Sequence, residues 1–174
     1  NDQEKELAKK APLHVVVLDM VIKHLPNPLE AQKYRISKIW PGDINSKEGQ
    51  DMVRCNPNGA LAAVVTKLYP DPHAGYVATV RIFSGKIKAG QDVMLVGMQR
   101  TNKIQQVSIY KGQQRINMDE VLAGNIVGIV GLKDAFSGET ICSPEHVIVP
   151  FESIKHLFEP VVTKLSLIHI SEPT

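Results

Sequence analysis

The chain has 174 residues, of which 43% are hydrophobic and 22% charged, and this composition does not suggest a disordered protein. Its formal net charge of +2 excludes a protein coated in positive charge, so any nucleic-acid contact has to be a local patch. No apolar run approaches the ~20 residues that span a bilayer, and residues 1–10 lack the apolar region of a signal peptide. Cys55 and Cys142 match neither a disulfide framework nor a CxxC motif. We therefore expect a soluble, cytoplasmic protein with no membrane partner.

Residues 11–25, "APLHVVVLDMVIKHL", have apolar side chains at helical spacing. Leu18, Ile22 and Leu25 share one face, and Val17 and Val21 lie beside it. The sequence "PNP" at 26–28 predicts the end of this helix, because the residue before a proline is pushed out of the α region. A helix with so wide an apolar surface predicts a partner domain that covers it.

Residues 29–59 predict a connector with at most one short helix, near Ser46 to Met52. Short β-rich runs follow at 62–68, 75–83, 92–98, 103–110, around Val121 and at 125–131. Between Gly85 and Gly90 lies a further short strand, and Gly85, Gly90, Gly124 and Gly138 predict structural turns. The spacing predicts a mainly β protein: a closed antiparallel β-barrel with an N-terminal helix and connector.

The sequence contains no pattern that predicts catalysis or a metal site. No GxxxxGK[ST] phosphate loop is present, and "TNKIQ" at 101–105 has Gln105 where a guanine-reading motif needs an aspartate. The six histidines show no spacing typical of metal ligands, and no serine or cysteine lies in a nucleophile motif. We therefore predict no catalytic residues and no metal ligands.

Charge is unevenly distributed along the predicted barrel. Residues 81–115 hold seven basic side chains and one acidic one, whereas residues 116–160 hold two basic and seven acidic ones. This pattern predicts positive turns that meet RNA phosphates, and the alternative is an ordinary solvated surface. Tyr110 and Phe83 are either base-stacking platforms or core residues.

Several stretches resemble the elongation factor 2 family of translational GTPases, of archaeal and eukaryotic type. "HAGYVATVRIFSGKIKAGQDVMLVG" and "QQVSIYKGQQRINMDEVLAGNIVGIVGLKDAFSGETI" resemble the second domain of that family. "VVLDMVIKHLPNPLEAQKYRISKIWPGD" is similar to the end of its GTP-binding domain, and "FESIKHLFEPVVT" is similar to the passage into its third domain. The resemblance covers about residues 11 to 163.

The resemblance implies four segments. Residues 1–56 would be the end of the GTP-binding domain and the connector, 57–145 the domain II barrel, 146–164 a linker and the first strand of domain III. Residues 165–174, "LSLIHISEPT", do not resemble the family and predict a non-native tail.

The resemblance also implies a ribosomal translocase that moves tRNA and mRNA, with GTP and Mg as cofactors of the parent protein and none in these residues. Its barrel would dock on small-subunit RNA of the ribosome and pack against the GTP-binding domain and domain III. Motif match and charge together select the candidate RNA-binding or interdomain residues Arg81, Ser84, Lys86, Lys88, Lys103, Lys111 and Arg115. We expect the chain to be inactive in GTP hydrolysis by itself.

Two alternatives remain open. A related GTPase of ribosome maturation or of the spliceosome shares this barrel. An autonomous RNA- or protein-binding β-barrel without an attached motor is the second alternative.

Overall fold

The computed structural model describes residues 6, 8–71, 75–112 and 114–152. Helix α1 (Leu13–His24) lies where the apolar periodicity predicts it, and it ends before the predicted stop at Pro26. None of its residues is buried; Leu13 and Ile22 are 77% and 78% exposed. Among the described residues, no helix is long and apolar enough to cross a membrane.

The connector contains two helices, so the prediction of at most one was wrong. Helix α2 (Pro28–Ile39) starts at the proline that we interpreted only as a stop signal, and α3 (Lys47–Val53) lies near the predicted position. Pro28 occupies the first helical turn, where a missing N–H costs nothing, and the Asn27 side chain accepts a hydrogen bond from the Glu30 N–H. The same sequence therefore ends one helix and begins the next.

The described residues contain ten strands, and the chain is mainly β as predicted. The strands are β1 (Ala62–Asp71), β2 (Gly75–Ser84), β3 (Lys86–Lys88), β4 (Asp92–Leu95), β5 (Arg100–Lys103), β6 (Gln106–Lys111), β7 (Gln114–Met118), β8 (Glu120–Leu122), β9 (Ile126–Val130) and β10 (Thr140–Cys142).

One predicted strand is interrupted. The run predicted for 103–110 breaks between β5 and β6, because Ile104 turns into the core and its N–H donates to the Gln91 carbonyl. The predicted first strand of domain III and the predicted tail lie outside the described residues.

The strands form an antiparallel sheet of eight and a separate pair. The order in the larger sheet is β5-β4-β10-β1-β2-β9-β6-β7, and β3 pairs with β8. Strand β2 is central, because it pairs with β1 on one side and β9 on the other. At its end, β2 reaches the corner around Gly85 that leads into β3.

Two apolar clusters organise the chain. The first is the core between the strands, with members from β1, β2, β3, β4, β6, β8, β9 and β10. The second joins the connector to the outer side of the sheet and contains Ile36, Trp40, Met52, Ala62, Cys142, Ile148 and Phe151. The Trp40 indole N–H donates to the Val149 carbonyl at 2.8 Å. The connector is therefore packed on the β domain, and α1 is not.

Candidate nucleic-acid and interdomain interface

Arg81 lies on β2 where the β domain meets the connector. Its Nη1 donates to the Gly124 carbonyl at 2.7 Å, and its Nη2 lies 3.5 Å from Oε1 of Gln32. The guanidinium also lies over the Phe83 ring, 5.9 Å from the centroid. Burial lowers the pKa of Arg81 from its usual value, although the group stays charged at neutral pH. The Arg81 guanidinium is therefore engaged in contacts with other residues of this chain.

Ser84, at the end of β2, is also directed toward the connector. It is buried, and its hydroxyl donates to the Ala60 carbonyl. The next residue, Gly85, donates its N–H to the Asn56 carbonyl at 2.8 Å. Ser84 and Arg81 therefore bind the end of β2 to segments that precede β1 in the chain.

Three basic candidates are paired with acids. Lys86 and Lys88 flank the same Glu120 carboxylate across the β3–β8 pair, at 3.8 and 3.2 Å. Arg115 binds Asp71 at 3.0 Å, and both side chains are about three-quarters buried. Glu120 comes from the acidic segment, as does Asp134, which binds Arg100 at 2.9 Å.

The separation of charge along the sequence is therefore only partly a separation in space. Antiparallel pairing brings acids from residues 116–160 beside the basic turns. Exposed pairs of this kind contribute only about 0–1 kcal/mol, so Glu120 binds Lys86 and Lys88 weakly.

Lys103 and Lys111 are exposed, at the end of β5 and the end of β6. Within the described part of the chain, neither lysine makes an ion pair within 4.0 Å. Asp92 lies directly opposite Lys103 in the β4–β5 register. Of the candidate residues, these two carry the most accessible positive charge.

The two aromatic candidates differ in position. Phe83 stacks on Phe151 at a centroid distance of 5.0 Å, within the cluster that joins the connector to the sheet. Tyr110 is 45% exposed and lines a groove with Tyr69, Val77, Thr79 and Arg115. Packing therefore accounts for Phe83, whereas Tyr110 offers a ring to solvent.

The four glycines predicted as turns have left-handed backbone. Their φ angles are +74° at Gly85, +79° at Gly90, +87° at Gly124 and +92° at Gly138. A Cβ at Gly85 would lie 2.8 Å from the Leu61 Cα, whereas Gly90 has no atom within 4 Å of that position. The need for glycine is therefore of two kinds, steric at Gly85 and conformational at both.

Sequence reasoning missed Gln32, which is 2% exposed and contacts Arg81. A buried glutamine in an otherwise charged helix surface has no local signal, because its partners Met52 and Phe83 are 20 and 51 residues away. Only the tertiary contacts reveal it.

The sequence has no phosphate-loop motif, and among the described residues no group of three or more His, Cys, Asp or Glu side chains is arranged to hold a metal. Burial raises the pKa of the Cys55 thiol, although Arg81 acts in the opposite direction, and burial likewise raises the pKa of Cys142. Both cysteines are free thiols.

Comparison with known protein families finds a match for the segment that contains β2 to β10. Residues 75–142 match the family described as Elongation factor Tu domain 2, so this antiparallel β domain is similar to a domain of translation factors. The match runs from the start of β2 to the end of β10.

Longer matches cover the helices as well. The chain is 59% identical over 162 residues, 93% of its length, to elongation factor 2 of Methanocaldococcus jannaschii. It is 58% identical over 159 residues to elongation factor 2 of Pyrococcus abyssi and 59% identical over 159 residues to that of Thermococcus kodakarensis, in each case over 91% of the chain. Over these aligned residues the chain is similar to elongation factor 2 of these archaea. It spans only 21–22% of the length of these relatives.

Proposed function

We propose that the chain acts as part of a GTP-dependent ribosomal translocase, in which its β domain docks on small-subunit RNA and relays the state of the GTPase. The observation that carries the proposal is the high identity to elongation factor 2 over both the connector helices and the β domain. Docking is supported by the exposed basic side chains Lys88, Lys103 and Lys111 on the β turns. Phosphate contacts of this kind need local charge and no net excess over the whole chain.

We further propose that the β domain is a closed barrel. A single apolar core takes side chains from β4, near one end of the sheet order, and from β6, near the other end. Ile104 and Gln105 alone separate β5 from β6, and the Gln105 N–H donates to the Val130 carbonyl at 2.8 Å. A flat sheet would hold these strands too far apart to share one core, which supports a sheet that curls on itself.

The partners of this segment would be the other domains of the full-length protein and the ribosome, in the cytoplasm. Residues 1–56 would complete a GTP-binding domain, 57–145 would form the barrel, and 146–164 would lead to domain III. The exposed apolar surface of α1 supports this assignment, because such a surface is stabilised when another domain covers it. GTP and Mg would bind elsewhere in the full-length protein.

The docking proposal is tested by titrating the chain against purified small ribosomal subunits over a salt series. In the variant with Lys86, Lys88 and Lys103 changed to alanine, binding should weaken, and the slope of log K against log salt should flatten by about 2–3. The matched control changes Lys33, Lys38 and Lys47 on the connector helices, which removes the same charge from surfaces outside the β turns. Glu120→Gln provides the opposite perturbation, since it releases Lys86 and Lys88 and should tighten binding.

Equal weakening by both triple variants would indicate nonspecific attraction and refute docking through the β turns. Absence of binding by the unmodified chain at low salt would refute independent docking by this segment. An autonomous RNA-binding barrel, in contrast, would bind unrelated RNA as tightly as it binds the subunit.

A further inference from the structure

Gln32 makes polar contacts with both the connector and the β domain. It lies on α2, and its Nε2 group donates to two backbone carbonyls, those of Met52 in α3 and of Phe83 in β2. Glutamine is mostly exposed in proteins, and burying an amide is favourable only when its hydrogen bonds are made. The side chain therefore ties two helices and one strand together at one point.

Arg81 extends this link to a second corner of the β domain. Its Nη2 lies 3.5 Å from the Gln32 Oε1, and its Nη1 donates to the Gly124 carbonyl between β8 and β9. The Gly124 N–H in turn donates to the Ile82 carbonyl at 2.9 Å. A continuous path of hydrogen bonds thus runs from α3 through Gln32 and Arg81 to the β8–β9 turn.

The backbone reinforces the same junction. Asn56, just after α3, accepts a hydrogen bond from the Gly85 N–H at 2.8 Å, and the Ala123 N–H donates to the Gly85 carbonyl at 3.0 Å. The β2–β3 corner is therefore bonded to the connector on one side and to the β8–β9 turn on the other. Displacing the connector would break the Gly85–Asn56 bond at the corner that is itself bonded to the β8–β9 turn.

We propose that Gln32 is the positioning residue that couples the connector to the β domain, so that α2, α3, β2 and the β8–β9 turn move as one body. Without its amide, the Met52 and Phe83 carbonyls lose a donor inside the packed junction, and the connector separates more readily. The coupling is a property of this chain alone. Its use as a relay of the GTPase state rests on the proposed function.

Gln32→Leu and Gln32→Glu test this coupling in the 174-residue chain by amide hydrogen exchange. The leucine keeps the volume but removes all polar contacts; the glutamate keeps the shape and the acceptors for Arg81 but removes both donors. Gln50→Leu is the matched control, because the Gln50 side-chain amide donates to the Ile44 carbonyl within the connector, at 3.0 Å. The exchange rate of the Gly85 amide is the main readout, because its hydrogen bond to the Asn56 carbonyl joins the β domain to the connector.

We expect both Gln32 variants to exchange the Gly85 amide and the α3 amides roughly 10–100 times faster, whereas the β2–β9 ladder stays within about twofold of the unmodified chain. Gln50→Leu should leave the Gly85 amide unchanged. Trp40 fluorescence gives an independent measure, since its unfolding transition should move to lower urea than the circular dichroism of the β domain.

Three results would overturn the coupling role. Uniform acceleration in the helices and the ladder would show that Gln32 stabilises the whole chain and does not couple its parts. An unchanged Gly85 amide would show that the junction holds without it. Failure of the β domain to fold in both variants would contradict the expectation that this domain folds independently of the link. None of these readouts uses the ribosome, so the docking proposal stands or fails separately.

Discussion

Gly85→Ala should destabilise the chain far more than Gly90→Ala, although both glycines lie at turns that flank β3. Their φ angles are nearly equal, +74° and +79°. A left-handed conformation costs an L-residue about 1–2 kcal/mol, and this cost applies equally to both substitutions. The pair therefore separates the conformational cost from any steric one.

The steric cost applies only to Gly85. The added Cβ would lie 2.8 Å from the Leu61 Cα and 3.0 Å from the Leu61 N, which are backbone atoms that cannot rotate away. Forcing a packed segment to move typically costs about 1–3 kcal/mol. The total for Gly85→Ala is then about 2–5 kcal/mol, a large part of the ~5–15 kcal/mol by which domains are stable.

Urea unfolding followed by circular dichroism measures both variants, with equal slopes required for the comparison. We expect Gly90→Ala to lower the free energy of unfolding by about 1–2 kcal/mol, because nothing lies within 4 Å of its added Cβ. Equal losses for the two variants would refute the steric argument and indicate that the Leu61 segment yields. A negligible loss for Gly90→Ala would refute the conformational argument.

Three further changes test the packing of the chain. Ile129→Ala, at a buried position of β9, should lower the free energy of unfolding in urea by about 2–5 kcal/mol. Ile126→Ala, at a 53% exposed position of the same strand, should lower it by less than about 1 kcal/mol, and similar losses for the two variants would contradict the assignment of buried and exposed faces. Trp40→Phe removes the donor to Val149 and should lower stability by about 1–3 kcal/mol, and no loss would mean that this contact is dispensable. Burial raises the pKa of Cys55 and Cys142 above the ordinary 9.0, so the unfolded chain releases these protons at lower pH than the folded chain. The contribution of the two thiols to the free energy of unfolding should be fully present below pH 9.0 and should be lost as the pH rises through their folded-state pKa values. Urea unfolding over this pH range should show a smaller loss of stability in a variant with both cysteines changed to alanine.

Local sequence determined the elements that depend on near neighbours. The apolar periodicity of residues 11–25 predicted α1, and the β-rich runs at 62–68 and 75–83 predicted β1 and β2. The helical and the strand patterns can each be read from a few neighbouring residues, because the spacing of apolar side chains decides whether they share one face of a helix or of a strand. The start of α2 was missed even so, since the proline that stops one helix also occupies the first turn of the next.

Tertiary structure alone decided which charges are paired and which polar groups are buried. Lys88 meets Glu120 because β3 and β8 pair, and Gln32 reaches Phe83, 51 residues away, because α2 packs on the end of β2. Such contacts depend on the path of the whole chain, so neither the composition nor the spacing of residues around Gln32 could indicate them. The sequence thus determined the kinds of elements and the exposed apolar helix, whereas the fold determined the junction through which the helices and the β domain are joined.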